Sequence, residues 1–183
     1  SNNAFSNMPL VQFLPNLCTT LTLFFGFLSI TNSSLEHFDG ACLCIVIAWV
    51  ADCLDGRVAR MTGSESEFGK EYDSLADLIA FGLAPALLCY RWLLIDFHKL
   101  GWCLAFVYLA ATGLRLARFN TQTPQTTFTG LPCPGAAAVV VSFIWLMLVL
   151  NQSPVGIYAM LTIVQLMLVS FLMVSHLEFK HMK

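Results

Sequence analysis

Four aspartates occur in two closely spaced pairs beside apolar stretches of the chain. Asp52 and Asp55 are three residues apart and end the apolar run that begins near Ala41. Asp73 and Asp77 are four residues apart and open the next apolar run. Residues three or four apart in an α-helix lie on one face, one turn above the other. The spacing therefore predicts two helices that each present a pair of carboxylates on one face.

The chemistry that these carboxylates favour is the binding of a hard divalent cation. A carboxylate inside the hydrocarbon of a membrane costs at least about 2.5 kcal/mol on insertion scales, so four of them need compensation. Mg²⁺ and Mn²⁺ prefer carboxylate and water oxygens, whereas zinc prefers His or Cys. Small residues accompany the pairs and leave room for a ligand to approach, namely Gly56, Ala59, Gly69, Ala80 and Ala84. A metal with a bound phosphate is the natural inference.

Arg60 supports this inference, and two alternatives stay open. Arg60 lies within about one turn of the first acidic face, where it can reach a phosphate oxygen that the metal does not neutralise. A pyrophosphate held between metal, aspartates and arginine is typical of phosphoryl-type transfer. In one alternative, the aspartates are solvated helix ends paired with Arg57, Arg60 and Lys70. In the other, they mark the pathway of an ion-coupled transporter, which predicts related halves and interrupted helices.

The elements that must position these residues are membrane helices. The chain is 57% hydrophobic and 11% charged, whereas an ordinary soluble domain is about 25% charged. A spanning helix needs roughly 20 predominantly apolar residues. The sequence predicts an all-α, polytopic membrane protein with about six transmembrane helices, at about 14–30, 41–59, 72–94, 102–116, 135–150 and 155–174. Turn formers at Asn32-Ser33-Ser34, Gly63-Ser64 and Gln152-Ser153-Pro154 predict short connections.

The domain organisation, the cysteines and the net charge each lead to a further expectation. We expect residues 1–183 to form a single membrane domain, and Ser1-Asn2-Asn3-Ala4 resembles the remnant of an expression tag. The seven cysteines form no C-x-x-C pair and are expected to be small buried hydrophobes. A net charge of −2 provides no basic field for nucleic acid, so we expect no nucleic-acid partner.

The distribution of Lys and Arg predicts the orientation in the membrane. With six spans, the two termini share one side with the second-to-third and fourth-to-fifth connections. That side holds seven of the basic residues, and the other side holds two, Arg91 and Lys99. Basic residues concentrate in cytoplasmic loops. We therefore expect both termini and the stretch from Asp52 to Asp77 at the cytoplasmic face of an integral membrane protein.

The stretch from Asp52 to Asp77 resembles the signature of the CDP-alcohol phosphotransferase family. That signature reads D-x-x-D-G-x-x-A-R, eight residues, then G-x-x-x-D-x-x-x-D. Every fixed position is occupied, by Asp52, Asp55, Gly56, Ala59, Arg60, Gly69, Asp73 and Asp77. The motif covers 26 residues, and the six-span layout extends the resemblance over most of the chain.

The resemblance implies a reaction and a role for each of these residues. The substrate would be split between CMP and a lipid-linked phosphate, as in CDP-diacylglycerol, with Mg²⁺ or Mn²⁺ as cofactor. Asp52, Asp55 and Asp73 would be metal ligands, and Asp77 the general base, itself in reach of a second metal. The nucleotide and its diphosphate would be lined by Gly56, Ala59, Arg60 and Gly69. Asn16 and Thr19 would join them, because Pro15-Asn16-Leu17-Cys18-Thr19 resembles the P-N-x-x-T string of the family.

Two later strings bear on the acceptor alcohol. Arg115-Leu116-Ala117-Arg118-Phe119-Asn120 and Gly130-Leu131-Pro132-Cys133-Pro134 resemble the R-x-x-R-F-N and G-L-P-x-P strings of bacterial and archaeal phosphatidylserine synthases, a branch of this family. The acceptor would then be L-serine. Arg115 or Arg118 would hold its carboxylate or the lipid phosphate, and Asn120 its amine or hydroxyl. The resemblance also implies a homodimer in a bacterial or archaeal cytoplasmic membrane.

Other acceptors remain alternatives within the same family. A sister enzyme would use glycerol 3-phosphate or an inositol phosphate, each of which brings a second phosphate and should need further basic residues at the pocket. Arg115 and Arg118 are the obvious candidates for that role as well. The aspartates therefore predict the donor chemistry, whereas the acceptor depends on the stretch from Arg115 to Asn120.

Overall fold

The computed structural model describes the backbone over 10–62, 66–121 and 130–175, and the side chains over 16–58, at 61, and over 66–121 and 130–175. Every regular element in these ranges is helical. The α-helices are α1 (Leu10–Ser34), α2 (Phe38–Thr62), α3 (Glu67–Asp77), α4 (Ala84–Trp92), α5 (His98–Thr121), α6 (Cys133–Val149) and α7 (Ile157–Val174). A π-helical segment, Leu78–Leu83, joins α3 to α4, and a 3₁₀ turn, Leu94–Phe97, leads into α5.

The described residues form six helical rods, and each rod overlaps one of the six predicted spans to within two residues at its ends or extends beyond it. By length and composition alone, three rods of the described chain are able to cross a membrane, at Glu67–Trp92, Leu94–Thr121 and Ile157–Val174, and Cys133–Val149 is a shorter apolar helix. Large apolar side chains cover the outside of the bundle, as at Phe27, Phe106 and Phe171, each more than 60% exposed. Soluble monomers rarely expose apolar surface so extensively. The predicted all-α polytopic membrane architecture is confirmed.

Small residues make up much of the interior. Ala41, Cys42, Ala48, Ala80 and Ala84 are completely buried. Helix association in membranes depends on close packing, which small residues permit. Gly26 of α1 marks one such close approach, because an added Cβ would lie 2.8 Å from the Cα of Ala80. Any side chain at position 26 would therefore push α1 away from the π-helical segment that follows α3.

The predicted turn at Asn32-Ser33-Ser34 is wrong, because α1 continues through Ser34. Polar side chains at the end of the helix donate back to carbonyls one turn earlier: Asn32 Nδ2 to Leu28 O at 3.0 Å and Ser34 Oγ to Ile30 O at 3.0 Å. These bonds satisfy side-chain donors without leaving the helix. The chain reverses at Glu36 instead, whose φ of 63° is left-handed. The predicted connection at Gln152-Ser153-Pro154 is confirmed, and Gly63-Ser64 lies outside the described residues.

The two ends of the bundle carry different groups. Arg91 at the end of α4 donates to Glu36 Oε1 at 2.9 Å, which joins the third rod to the turn between α1 and α2. The aspartate pairs lie at the opposite end, near the end of α2 and the beginning of α3. The alternating layout of the helices thus brings the two acidic pairs together.

Pro85 explains why the third rod is irregular. Proline lacks an N–H, and its ring excludes a regular bond to the carbonyl four residues earlier, here Phe81. The Tyr108 hydroxyl of α5 donates to that carbonyl at 2.9 Å, and both residues are completely buried. A neighbouring helix therefore supplies a donor to this buried carbonyl of the π-helical segment, as broken membrane helices require.

Removing this hydroxyl should destabilise the protein. A Tyr108→Phe substitution removes the bond from the Tyr108 hydroxyl to the buried Phe81 carbonyl, and losing such a bond costs about 1 kcal/mol. We expect a lower Tm in thermal unfolding of the detergent-purified protein. Tyr158→Phe is the control, since the Tyr158 hydroxyl makes no hydrogen bond within the described side chains. An unchanged Tm for Tyr108→Phe would show that the bond contributes nothing.

Candidate metal and phosphate site

The acidic cluster is assembled from α2 and α3. One carboxylate oxygen from each of Asp52, Asp55 and Asp73 lies within 4.8 Å of the other two. Oxygens on opposite sides of a Mg²⁺ ion bound at about 2.1 Å are about 4.2 Å apart. The cluster therefore has the size of a site for a single small cation. The fourth carboxylate, Asp77, is a close neighbour of Asp52.

Burial makes it costly to keep the carboxylates of this cluster charged and without partners. Asp55 is 5% exposed and Asp77 is 8% exposed, and the other two aspartates are partly buried. One oxygen of Asp73 and one of Asp77 are buried without a hydrogen-bond partner in the described part of the chain. Such atoms are costly unless a ligand or ion satisfies them. An all-carboxylate donor set with unsatisfied buried oxygens fits a hard divalent cation.

Among the described side chains, none supports the alternative in which neighbouring basic residues neutralise the aspartates. Arg57 and Lys70 are exposed, and neither forms an ion pair with an aspartate among the described side chains. Lys70 instead places its Nζ 5.9 Å from the ring centroid of Phe119. The side chains of Ala59 and Arg60 lie outside the described residues, so their predicted contacts with a diphosphate stay predictions.

Helix α1 also borders the site, next to the carboxylates of α2 and α3. Thr19, which is 3% exposed, donates from Oγ1 to Asp55 Oδ2 at 2.8 Å. Such a bond from an outer residue orients a carboxylate that could hold a metal. The structure thus places Thr19 beside a predicted metal ligand. Gly56, another predicted nucleotide residue, follows Asp55 directly in α2 and is partly exposed.

The beginning of α3 is organised around Gly69. Ser66 is the N-cap of α3, and its hydroxyl accepts from the Gly69 N–H at 3.0 Å. A Cβ added to Gly69 would lie 3.1 Å from Ser66 Oγ and 3.5 Å from Asn16 Oδ1. The predicted nucleotide residues Asn16 and Gly69 are therefore neighbours at the same end of the bundle as Thr19 and the aspartates.

A contact that the sequence analysis missed holds α3 to α1. The hydroxyl groups of Tyr72 and Thr20 are 2.9 Å apart, and Thr20 Oγ1 donates to Asn16 O at 2.7 Å. Tyr72 directly precedes Asp73, so this contact anchors the helix beside a predicted metal ligand. The sequence offers little signal for it, because both residues are partly or largely exposed and far apart in the chain.

The predicted acceptor residues lie at the end of α5, but they point to different helices. Arg115 reaches Cys133 at the start of α6, and Cys133 in turn lies close enough to Asp77 to interact with its charge. Arg118 Nη1 donates to Val174 O of α7 at 3.0 Å. Asn120 contacts α3 through Ser74 and Glu71. Of the three predicted residues, Arg115 is the one linked to Asp77 through a shared neighbour.

The segment that precedes α6 also packs on α7. Gly130 has φ 77°, and an added Cβ would approach the carbonyl oxygens of Met173, Leu172 and Ser175 at 3.1–3.3 Å. Leu131 N donates to Leu172 O at 3.2 Å. Only glycine adopts this conformation at little cost. The G-L-P-x-P string therefore joins the start of α6 to the end of α7 and places Cys133, which is 2% exposed, near Asp77.

Fold and site together define a polytopic helical membrane protein with a carboxylate site for a divalent cation at one end of its bundle. The chain belongs to the CDP-alcohol phosphatidyltransferase family, whose model matches residues 12–174. The transporter alternative is not favoured by this match.

Characterised relatives share much of the chain. It is 43% identical over 136 residues to a CDP-diacylglycerol–serine O-phosphatidyltransferase of Helicobacter pylori strain 26695, which covers 73% of this chain and 57% of the relative. It is 38% identical over 170 residues to an archaetidylserine synthase of Methanothermobacter thermautotrophicus, covering 91% of this chain and 69% of the relative. It is 32% identical over 176 residues to a CDP-diacylglycerol–serine O-phosphatidyltransferase of Bacillus subtilis strain 168, covering 94% and 93%. The chain thus spans little more than half of the Helicobacter relative.

The carboxylate cluster makes a direct prediction about metal binding. Replacing Thr19 by Val removes the hydroxyl that orients Asp55, and losing such an outer partner typically lowers metal affinity about 10–100-fold. We expect the Mn²⁺ affinity of the purified protein, measured by electron paramagnetic resonance of free Mn²⁺, to fall within this range. Asp39→Asn, an exposed acid at the other end of α2, should leave it unchanged. Equal affinity for wild type and Thr19→Val would contradict the orienting role.

Proposed function

We propose that this protein transfers the phosphatidyl group of CDP-diacylglycerol to L-serine and releases CMP. The observation that carries the proposal is the cluster of Asp52, Asp55, Asp73 and Asp77 at one end of a membrane bundle in a chain of the CDP-alcohol phosphatidyltransferase family. The names of the relatives in Helicobacter and Bacillus support serine as the acceptor. We further propose that the membrane domain acts as one unit over the matched residues.

The metal site is assigned to three carboxylates. Asp52, Asp55 and Asp73 would hold Mg²⁺ or Mn²⁺, because their oxygens lie within 4.8 Å of one another. When bound, the cation would neutralise the diphosphate and the charge that develops on the leaving CMP. Thr19 orients Asp55, and the carboxylates that α2 and α3 bring together would lie on one side of the ligand.

Asp77 is proposed as the general base. It is the most deeply placed carboxylate of α3, at 8% exposed, and one of its oxygens has no partner among the described side chains. The serine hydroxyl oxygen would attack the lipid-side phosphorus while Asp77 accepts the hydroxyl proton. The bond from that phosphorus to the CMP oxygen then breaks, and CMP leaves. The products are phosphatidylserine, CMP and a protonated Asp77, which returns its proton to solvent.

The nucleotide would occupy the space beside α1 and the beginning of α3. Asn16, Thr19, Gly56 and Gly69 border this space, and a bare Gly69 lets the diphosphate approach the backbone. Ala59 and Arg60 are assigned to the same ligand from the motif alone. The hydroxyl pair of Thr20 and Tyr72 closes the side of this space between α1 and α3.

Arg115 is our candidate for the acceptor carboxylate or the lipid phosphate. It reaches Cys133, and Cys133 also lies near Asp77, so a carboxylate held by Arg115 would place the serine hydroxyl towards the proposed base. Arginine suits this role because its planar donors match a carboxylate. The predicted acceptor roles of Arg118 and Asn120 stay predictions.

The proposal extends to the orientation of the bundle in the membrane and to its assembly. We place the acidic end of the bundle at the cytoplasmic face of a bacterial or archaeal membrane, because seven of the nine Lys and Arg residues fall on that side by the predicted layout. CDP-diacylglycerol would then enter from the surrounding lipid, and serine from the cytoplasm. Homodimerisation, which the family resemblance implies, stays a prediction.

The reaction and the base can be tested together. Purified protein with CDP-diacylglycerol, Mn²⁺ or Mg²⁺ and labelled L-serine should release CMP and form labelled lipid. Asp77→Asn should lower kcat about 10²–10⁴-fold, as expected for loss of a general base. Glycerol 3-phosphate and inositol phosphate serve as competing acceptors. Turnover with one of these but not with serine would reject the acceptor and keep the family chemistry, whereas full activity of Asp77→Asn would reject the base.

The role of Arg115 makes a separate kinetic prediction. Arg115→Ala removes a charge-assisted contact worth about 1.5–3 kcal/mol, so KM for serine should rise by about tenfold or more. KM for CDP-diacylglycerol should also rise if the contact is made to the lipid phosphate, which separates the two possible partners of Arg115. Lys99→Gln, an exposed basic residue at the opposite end, is the matched control. Unchanged KM values for both substrates would overturn the assignment.

A further inference from the structure

The last turns of α5 join three other helices through three polar side chains. Arg115 contacts Cys133 of α6, Arg118 donates to the Val174 carbonyl of α7, and Asn120 contacts α3. The stretch from Arg115 to Asn120 therefore serves two purposes in the structure. Arg115 reaches Cys133, which lies near the proposed base, and Arg118 and Asn120 join α5 to α7 and α3.

The contact of Asn120 with α3 uses both hydrogens of its amide. Asn120 Nδ2 donates to Ser74 Oγ at 3.0 Å and to Glu71 Oε2 at 3.2 Å. Ser74 Oγ donates to Lys70 O at 3.1 Å, and it also lies 3.2 Å from Asn120 Oδ1. Each polar atom of the Asn120 side chain thus already lies at hydrogen-bonding distance from α3. A serine amine or hydroxyl would have to displace these contacts.

Ser74 is adjacent in sequence to the proposed metal ligand Asp73, and α3 is held on its other side as well. The Tyr72 hydroxyl lies 2.9 Å from Thr20 Oγ1 of α1. Tyr72 and Ser74 flank Asp73 directly, so one contact to α1 and one to α5 fix the rotation of α3 about its axis. Beyond Asp77, the π-helical segment interrupts the regular hydrogen bonding. The rotation of α3 is therefore set at these two contacts.

A small rotation of α3 would be enough to spoil the metal site. Side-chain tips lie about 5 Å from a helix axis, so turning the helix by about 20° moves a carboxylate by roughly 2 Å. Metal–ligand distances tolerate only about 0.2 Å. Asp73 and Asp77 would move away from Asp52 and Asp55 together, because both project from the same helix.

We propose that Asn120 is a positioning residue that sets the rotation of α3 through Ser74 and Glu71, and thereby aligns Asp73 with the metal ligands of α2. The inference rests on the metal site of the proposed function. It assigns Asn120 to cation binding rather than to recognition of the acceptor. The two assignments predict opposite kinetic behaviour.

The test separates metal affinity from acceptor affinity. For Asn120→Ala, we expect the Mn²⁺ concentration for half-maximal activity to rise about tenfold, with KM for serine unchanged. The Mn²⁺ dissociation constant, measured by electron paramagnetic resonance without donor or acceptor, should rise by the same factor. Ser74→Ala, which keeps the contact of Asn120 with Glu71, should shift the constant in the same direction by no more than Asn120→Ala. The double variant should match Asn120→Ala, since that substitution already removes both contacts.

Thr121→Ala is the matched control. Thr121 neighbours Asn120, and its hydroxyl bonds only to Ala117 O and Arg118 O of its own helix in the described structure. A rise in KM for serine with an unchanged Mn²⁺ constant would overturn the proposal and assign Asn120 to the acceptor. Additive effects of Asn120→Ala and Ser74→Ala would overturn it as well. If wild type released no CMP with serine, the proposed function would fail, while the direct Mn²⁺ measurement on the variants would still decide the role of Asn120.

Discussion

Four carboxylates face one another at one end of a bundle whose outer surface is apolar. Two unit negative charges about 4 Å apart repel by about 4 kcal/mol at the effective dielectric of a protein. A cluster of Asp52, Asp55 and Asp73 within 4.8 Å, with Asp77 against Asp52, is therefore tolerable only if a cation or protons offset the repulsion. The arrangement of α1, α2, α3 and α5 follows from this requirement, because each of them supplies or holds a carboxylate.

The third rod combines a fixed part with an irregular part. Its α3 portion is held by Thr20 on one side and by Asn120 on the other, where accurate placement of Asp73 matters. Its π-helical portion lies deeper in the bundle, where Gly26 of α1 allows close packing and Tyr108 satisfies the backbone. Irregular backbone is acceptable there because protein groups, rather than lipid, surround it. The irregularity lies directly beyond Asp77, which is consistent with π-helical segments occurring near functional sites.

Helix α5 connects the donor side of the proposed site with the acceptor side. Through Asn120 it contacts the helix that bears two carboxylates, and through Arg115 it reaches the start of α6 beside Asp77. Arg118 and Leu131 both donate to carbonyls in the last turn of α7, so α7 closes the bundle at this end. A short polar stretch at the end of α5 thus contacts three helices, α3, α6 and α7.

The amino-acid sequence by itself determined the helical class, the six rods and the identity of the acidic cluster, because hydropathy and helical spacing are local properties. The spacing of Asp52 with Asp55 and of Asp73 with Asp77 was enough to predict one shared face for each pair. Sequence could not decide that α1 continues through Asn32, because the residue types there favour a turn. In the structure, the Asn32 side chain bonds to a carbonyl of the same helix one turn earlier, which satisfies it without ending the helix. Nor could it separate Arg115 from Arg118 and Asn120, which form one motif but point to three different helices. Contacts such as Thr19 with Asp55 or Tyr72 with Thr20 join residues 36 and 52 positions apart, and only the packing of the helices brings such residues together.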